Sequence, residues 1–208
     1  MEFRHLAIEG PAGVGKSALA DRLGARLDAT IVLDESDNPF LADFYNGRPG
    51  AAFQAQLFYT LARHRQQTLL RQADLFSQTM ICDYLFERDK IYAYLNLDDN
   101  ELFVYQRLYE LLSQDVPTPD LVIYLQASIA TLAARVRKRG NPIEGGLDED
   151  YLRRVSDAYS RYFYDYAESP LLIVNSDRLN FVDTPEHLDL LVQRIDAMRG
   201  GREFFNRG

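Results

Sequence analysis

Gly10-Pro11-Ala12-Gly13-Val14-Gly15-Lys16-Ser17 decides the fold. The stretch fills every fixed position of G-x-x-x-x-G-K-[ST], the P-loop pattern. Before it, Leu6-Ala7-Ile8 is a short apolar run that reads as a buried strand. After it, Ser17 to Leu27 carries Leu19, Ala20, Leu23 and Leu27 at helical spacing. Strand, glycine loop and helix start together form the context in which the pattern has a mechanism. The glycines let the backbone wrap an anion without Cβ clashes. Backbone N–H groups across Gly10, Gly13, Val14, Gly15, Lys16, Ser17 and Ala18, with the helix N-terminus, favour phosphate. Lys16 is placed to bridge β- and γ-phosphates and the Ser17 hydroxyl to hold Mg²⁺, so ATP and Mg²⁺ are the expected cofactors.

Outward from this stretch, apolar runs alternate with helical segments. Thr30 to Leu33 predicts a second strand, ending at the acidic cluster Asp34-Glu35-Ser36-Asp37. Asn38-Pro39 breaks the chain before a short helix at Phe40 to Tyr45, and Ala51 to Ala73 predicts a long helix free of Gly and Pro. Met80-Ile81-Cys82 predicts a third strand that ends at Asp83. Tyr84 to Leu97 and Glu101 to Leu112 read as helices, and Leu121 to Leu125 is the clearest buried strand. Ser128 to Arg139 reads as a helix with a serine cap, and Asp148 to Ala167 as an aromatic-rich one. Leu171 to Val174 is the last strand expected, followed by a helix at Thr184 to Met198 with Pro185 at its first position.

This order predicts an α/β fold: a doubly wound, parallel, five-stranded sheet flanked by helices, with a short basic lid. One domain is expected over residues 1–200, with the lid at about 135–147 and a loose C-terminal tail at 201–208. Ligands in such sheets bind beyond the carboxyl ends of the strands, which singles out Glu9-Gly10, Asp34-Glu35, Asp83 and Gln126-Ala127.

Composition narrows the partners. A net charge of -8 argues against a nucleic-acid polymer, and no stretch approaches a membrane span. The first residues run straight into a strand, which reads as leaving no room for a signal peptide. A single cysteine, Cys82, fits a reducing compartment, so the cytoplasm is the expected location. No Cys or His pair has the spacing of a structural zinc site.

A P-loop serves switches, motors and small-molecule kinases. The guanine-reading Asn-Lys-x-Asp pattern is absent, and Asp83 lacks the following Glu of a motor ATPase. A small kinase needs a basic lid, and Arg135 and Arg139, four apart in Arg135-Val136-Arg137-Lys138-Arg139, share one helix face. Asp83, closing an apolar strand, is placed to bind Mg²⁺ directly or through water. Gln56 and Arg63, seven apart on the long helix, face one way with Phe53. Asn180-Phe181 follows the last strand, where Phe181 fits a wall for the donor adenine and a place in the core equally well.

The chain resembles the deoxynucleoside kinases from Phe3 to about Leu191. The resemblance rests on the P-loop, Asn38-Pro39-Phe40-Leu41 with Phe44-Tyr45, and Phe53-Gln54-Ala55-Gln56 leading to Arg63. It continues through Cys82-Asp83-Tyr84-Leu85-Phe86-Glu87-Arg88-Asp89-Lys90, Ile123 to Ser128 and Arg135 to Gly140. The bacterial purine branch is nearest in character. The resemblance implies ATP-dependent phosphorylation of a deoxynucleoside 5′-hydroxyl, leaning to purines, by a homodimer packed through the helices at 51–73 and 101–112. It implies Glu35 as general base, with Asp34 as the alternative register. It puts Gln56, Arg63 and Asp89 around the base, and Tyr45 and Glu144 on the sugar 3′-hydroxyl. Tyr84 stands where many members carry Arg, which makes Arg88 one candidate to steady the carboxylate and the transferred phosphate. Two other readings stay open. A thymidylate-kinase-like monophosphate kinase would recruit Arg48, Arg88 and Lys90, and a non-catalytic nucleotide switch would need no Glu35.

Overall fold

Six parallel strands form one sheet in the order β2-β3-β1-β4-β5-β6, seen in a computed structural model that describes residues 3–34, 37–73, 79–141 and 147–206. The strands are β1 (His5–Glu9), β2 (Thr30–Val32), β3 (Met80–Cys82), β4 (Leu121–Gln126), β5 (Leu171–Asn175) and β6 (Arg202–Phe205). The helices are α1 (Lys16–Leu27), α2 (Leu41–Tyr45), α3 (Ala51–Ala73), α4 (Arg88–Asn96), α5 (Asp99–Leu112), α6 (Ile129–Arg139), α7 (Glu149–Tyr164) and α8 (Pro185–Ala197). The chain leaves β1 toward β2 on one side and reaches β4 on the other, so the crevice for a ligand opens at the carboxyl end of β1.

Side-chain alternation along the strands builds two cores. Leu6, Ile8, Ile123, Leu125 and Val174 pack on one face against Leu19 and Leu23 of α1 and Leu191 and Ile195 of α8. Ala7, Val122, Tyr124 and Ile173 pack on the other against Ile91 of α4 and Val155, Tyr159 and Phe163 of α7. Both faces of the central strands are covered, hence the unbroken apolar run in β4. Tyr124 stacks on Phe163 with centroids 4.2 Å apart, a contact worth about 0.5–1.5 kcal/mol beyond the area it buries. No helix among the described residues is long and apolar enough to cross a membrane.

The parallel, helix-flanked sheet agrees with the sequence reading, and two details differ. First, the expected helix from Tyr84 starts only at Arg88. Tyr84, Leu85 and Phe86 are buried, and the Leu85 N–H is drawn to the Glu9 carboxylate at 3.0 Å. Tertiary bonds thus hold 84–87 as a turn where local propensity favours a helix. Second, residues 202–205 are not a loose tail but a sixth strand beside β5. Gly200 and Gly201 adopt positive φ and turn the chain back onto the sheet edge. The Gly201 carbonyl accepts the Leu171 N–H at 2.8 Å, and Arg202 Nη2 donates to the Phe163 and Tyr166 carbonyls at 3.0 Å each.

Candidate active site

The glycine loop follows β1 and needs its glycines for space as well as for φ. At Gly10 (φ 146°) a Cβ would stand 2.4 Å from the Leu125 carbonyl oxygen, and at Gly13 (φ 80°) 2.8 Å from that of Leu132. Lys16, the first residue of α1, curls back over the loop. Its Nζ donates to the carbonyls of Gly10 (2.8 Å) and Pro11 (3.3 Å). Burial first, and then the nearby Arg88, lower the Lys16 ammonium to about 8, against the opposing pull of Glu9, Asp83 and Asp34. The Val14 side chain is buried in the core, so this residue presents only backbone to a ligand. Ala18 is half-buried in the first turn of α1.

Ser17 Oγ donates to Asp83 Oδ2 at 2.5 Å, and the Asp34 N–H donates to Asp83 Oδ1 at 2.6 Å. Asp83, placed by the end of β3, therefore ties the P-loop helix to the chain leaving β2. It does not cap α4, whose N-cap is Glu87. Hydroxyl and carboxylate side by side are hard oxygen donors of the kind Mg²⁺ takes. Among the described residues no group of three or more His, Cys, Asp or Glu forms a metal cage.

Asp34 is the hub between this region and the long helix α3. Arg63 grips it in a fork, Nε to Oδ1 at 2.8 Å and Nη2 to Oδ2 at 2.7 Å, and Arg88 Nη1 adds a bond to Oδ2 at 2.8 Å. Burial alone would raise the Asp34 carboxyl; Arg63 and then Arg88 outweigh it and hold the group at about 2. Burial would likewise discharge Arg63, but Asp34 and Asp89 raise its pKa and keep it cationic. The Arg63 guanidinium also lies 4.7 Å from the Tyr59 ring centroid.

The third nitrogen of Arg63, Nη1, pairs with Asp89 Oδ1, and Gln56 Nε2 donates to the same oxygen at 3.2 Å. Asp89 is fully buried, and its Oδ2 has no hydrogen-bond partner. Burial accordingly pushes the Asp89 carboxyl up to about 6, with Arg63 pulling the other way. Gln56, Arg63 and Asp89, expected together, are joined by direct hydrogen bonds. Phe53 packs with Phe86 and Tyr109 of the α4–α5 cluster. Tyr45 lies half-buried at the end of α2, its ring 5.1 Å from Phe44.

Other expectations fare differently. Glu35 and Glu144 lie outside the described residues. Arg135 lies within helix α6 and is tied down rather than free in a lid. Its Nη1 donates to the Val14 carbonyl at 3.0 Å and its Nη2 to the Ser176 carbonyl at 2.9 Å. Arg139 is exposed at the end of the same helix. Of the two places open to Phe181, the structure shows it buried with Leu179 and Leu188 in the core, where its loop folds back onto α8. The Asn180 N–H donates to His187 Nδ1 at 2.9 Å and fixes that fold-back.

Sequence reasoning singled out Glu9 only by its place at a strand end and gave it no role. It is fully buried, and its two oxygens accept the N–H of Gly10 (2.7 Å) and of Leu85 (3.0 Å). Glu9 thus pins the start of the P-loop to the turn before α4. A buried acid directly ahead of the first glycine was the available signal, since such a group must have partners.

The parallel sheet, the phosphate loop with its lysine, and a second cluster of buried polar groups beside it define a P-loop phosphotransferase. The chain belongs to the deoxynucleoside kinase family, whose model matches residues 6–198. Among its relatives, the deoxyguanosine kinase of Bacillus subtilis is 33% identical over 185 residues, covering 85% of this chain and 88% of that one. The deoxyadenosine kinase of Dictyostelium discoideum is 29% identical over 206 residues, covering 96% and 82%. The fold is that of the M. mycoides deoxyadenosine kinase solved with dCMP and dCDP, at a TM-score of 0.80 and 24% identity over 93% of this chain and 99% of that one. The enzyme phosphorylates deoxynucleosides.

Proposed function

We propose that the enzyme moves the γ-phosphoryl group of ATP to the 5′-hydroxyl of a purine deoxynucleoside. One observation carries the reading: an unbroken path of hydrogen bonds, Ser17–Asp83–Asp34–Arg63–Asp89–Gln56, links the phosphate loop to a buried set of groups suited to a base edge. A donor site alone, as in a switch, has no use for the second half of that path. Of the cations a monophosphate acceptor would recruit, Arg48 pairs with Asp43 at the surface and Lys90 lies over the Tyr109 ring, which leaves Arg88 alone, and the relatives act on nucleosides.

The 5′-oxygen attacks the γ-phosphorus, the bond from that phosphorus to the β–γ bridging oxygen breaks, and ADP leaves. Asp34 orients the attacking hydroxyl and receives its proton. An ionised carboxylate offers about four acceptor positions, and three on Asp34 are filled by Arg63 and Arg88, which leaves one for the substrate. A carboxyl as acidic as this one serves mainly by orientation, which suffices because phosphoryl transfer depends chiefly on positioning and charge. Lys16 steadies the β- and γ-phosphates. Ser17 and Asp83 are the residues that would hold Mg²⁺, which supplies charge neutralisation on the phosphates. Asp89 Oδ2 accepts an N–H of the base, while Tyr45 and Glu144 hold the sugar. The purine preference is supported by the relatives, a deoxyguanosine and a deoxyadenosine kinase.

The apolar residues Leu61 and Leu69 of α3 and Phe103, Val104 and Leu111 of α5 are exposed on two helices that touch, which supports a homodimer across this face. Turnover of the four deoxynucleosides and their monophosphates with ATP and Mg²⁺, scored as ADP release, tests the whole reading. Preference for a monophosphate, or ATP hydrolysis indifferent to every acceptor, would overturn it.

A further inference from the structure

We infer that Arg88 is a catalytic residue whose guanidinium contacts the phosphoryl group in flight between donor and acceptor; this rests on the kinase reading above. Arg88 is the first residue of α4, just past the turn that follows β3. A cation there meets the positive end of its own helix, so local electrostatics disfavour it. The fold nonetheless buries the group between two carboxylates. Nη1 donates to Asp34 at 2.8 Å, and Nε stands 4.0 Å from Glu9 Oε1, too far for a hydrogen bond. The Tyr92 ring backs the guanidinium at 5.4 Å.

Nε is therefore a buried, charged donor without an acceptor. Buried donors are normally satisfied, and one left open beside a phosphate loop points to an anionic oxygen that arrives with substrate. The other cations nearby are not available in this way. Arg63 has every nitrogen bonded, and Lys90, two residues on, sits 4.6 Å from the Tyr109 ring centroid on another side of α4. Arg88 also lies close enough to Lys16 for its charge to help lower that ammonium. Lys16 curls over the donor loop, and Arg88 is held at Asp34 and beside Glu9, whose other oxygen accepts the Gly10 N–H at the start of that loop. During transfer the γ-phosphoryl oxygens gain a partner from Arg88, while bond formation to the 5′-oxygen and departure of ADP proceed as described above.

The test compares the full-length wild type with Arg88→Met and Arg88→Lys. Whichever deoxynucleoside the wild type accepts is used, so a pyrimidine preference would revise the base assignment and leave this comparison intact. Arg88→Met is expected to lower kcat by about 10³-fold, in the range for a phosphoryl-contacting arginine, with KM for ATP changed less than about threefold. Arg88→Lys, which keeps charge but loses the planar fork, is expected to fall between. Calorimetry supplies the separating readout. ADP alone and nucleoside alone are expected to bind Arg88→Met as they bind the wild type, while the ternary complex of ADP, nucleoside and aluminium fluoride weakens by more than about 100-fold, because only that complex mimics the planar phosphoryl group. Wild-type turnover in Arg88→Met would overturn the inference. So would parallel losses in nucleoside and ternary-complex binding, which would make Arg88 only a holder of Asp34. Thermal melting identifies misfolding, in which case Arg88→Lys decides by the same two binding measurements.

Discussion

At the donor end of the site, the phosphate cradle comes from consecutive residues, Gly10 to Ser17, and most of what they offer is backbone. At the acceptor end proposed above, Asp34, Gln56, Arg63 and Asp89 arrive from the exit of β2, from α3 and from α4, and what they would offer a substrate is side chain. The donor end binds a phosphate chain, whose shape and charge a loop of N–H groups matches by itself. The acceptor end must tell one base from another, which takes donors and acceptors fixed by their neighbours. Damage should therefore spread differently in the two regions. A change in the donor loop removes charge from the reaction, while a change at the acceptor end disturbs several bonds and shows first in substrate choice.

Apart from Arg88→Met, the largest effect is expected from Lys16→Ala, a loss of turnover of at least about 100-fold and up to about 10³-fold, as for removal of one pre-organised stabilising charge. Circular dichroism should show the fold intact, since the loop backbone is unchanged. Turnover near that of the wild type would remove the functional contrast between the ends. Next comes Asp34→Asn, expected to lower kcat by about 10²-fold, the low end for a positioned carboxylate, with ATP affinity nearly intact. Glu35→Gln is expected to be mild. The reverse result would move the acceptor carboxylate one residue along.

Smaller again is the effect of Asp89. Asp89→Asn is expected to reorder deoxyadenosine, deoxyguanosine and deoxycytidine by about 1–3 kcal/mol in kcat/KM, the worth of a buried hydrogen bond. The wild type should also lose kcat/KM for nucleoside as pH falls through about 6, where Asp89 gains a proton, and Asp89→Asn should lack that break. The stability linkage has opposite signs for the two acids. Because the Asp89 carboxyl is raised, its contribution is complete below its ordinary value and is lost as pH rises through about 6. Because the Asp34 carboxyl is lowered, its contribution is complete above its ordinary value and is lost as pH falls toward about 2. An acid-limb break that survives in Asp89→Asn would assign the pH dependence to another group. The smallest effect is expected from Arg135→Met, about a tenfold rise in KM for ATP with nucleoside KM unchanged, since the lost bonds join the P-loop to the loop after β5. A change in nucleoside KM would show that the two ends are coupled through α6.

The same contrast explains what could be read from the chain without coordinates. The donor loop was legible because its residues are contiguous and lie between a clear strand and a clear helix. Gln56 and Arg63 were legible as a pair because helical spacing fixes their common face. The choice between Asp34 and Glu35 was not, because no periodicity fixes side-chain direction just beyond a strand, and with Glu35 outside the described residues it falls to the two substitutions above. The late start of α4 depends on a bond from Glu9, 76 residues away from Leu85, and no local pattern carries that information. Phe181 stayed open between two places for a related reason. An aromatic after a strand fits a ligand wall as well as it fits a core, and only the bond from Asn180 to His187 turns it inward. The strand β6 has four residues and alternating exposure, too short a pattern to stand out from a tail.

That last strand has a consequence for solubility. β5 is Leu171-Leu172-Ile173-Val174 followed by Asn175, and its first four residues are buried. Left as a sheet edge, such a segment would offer unpaired backbone next to apolar side chains, a template for another copy of itself. β6 takes up that backbone pairing and presents Arg202 and Glu203 in its place, with Glu203 held by Arg194 at 2.8 Å. Charged residues on a short edge strand are a known guard against intermolecular pairing. Ending the chain after Gly200 should therefore leave the nucleotide sites in place and yet give a protein that self-associates on warming, visible as light scattering that rises with concentration.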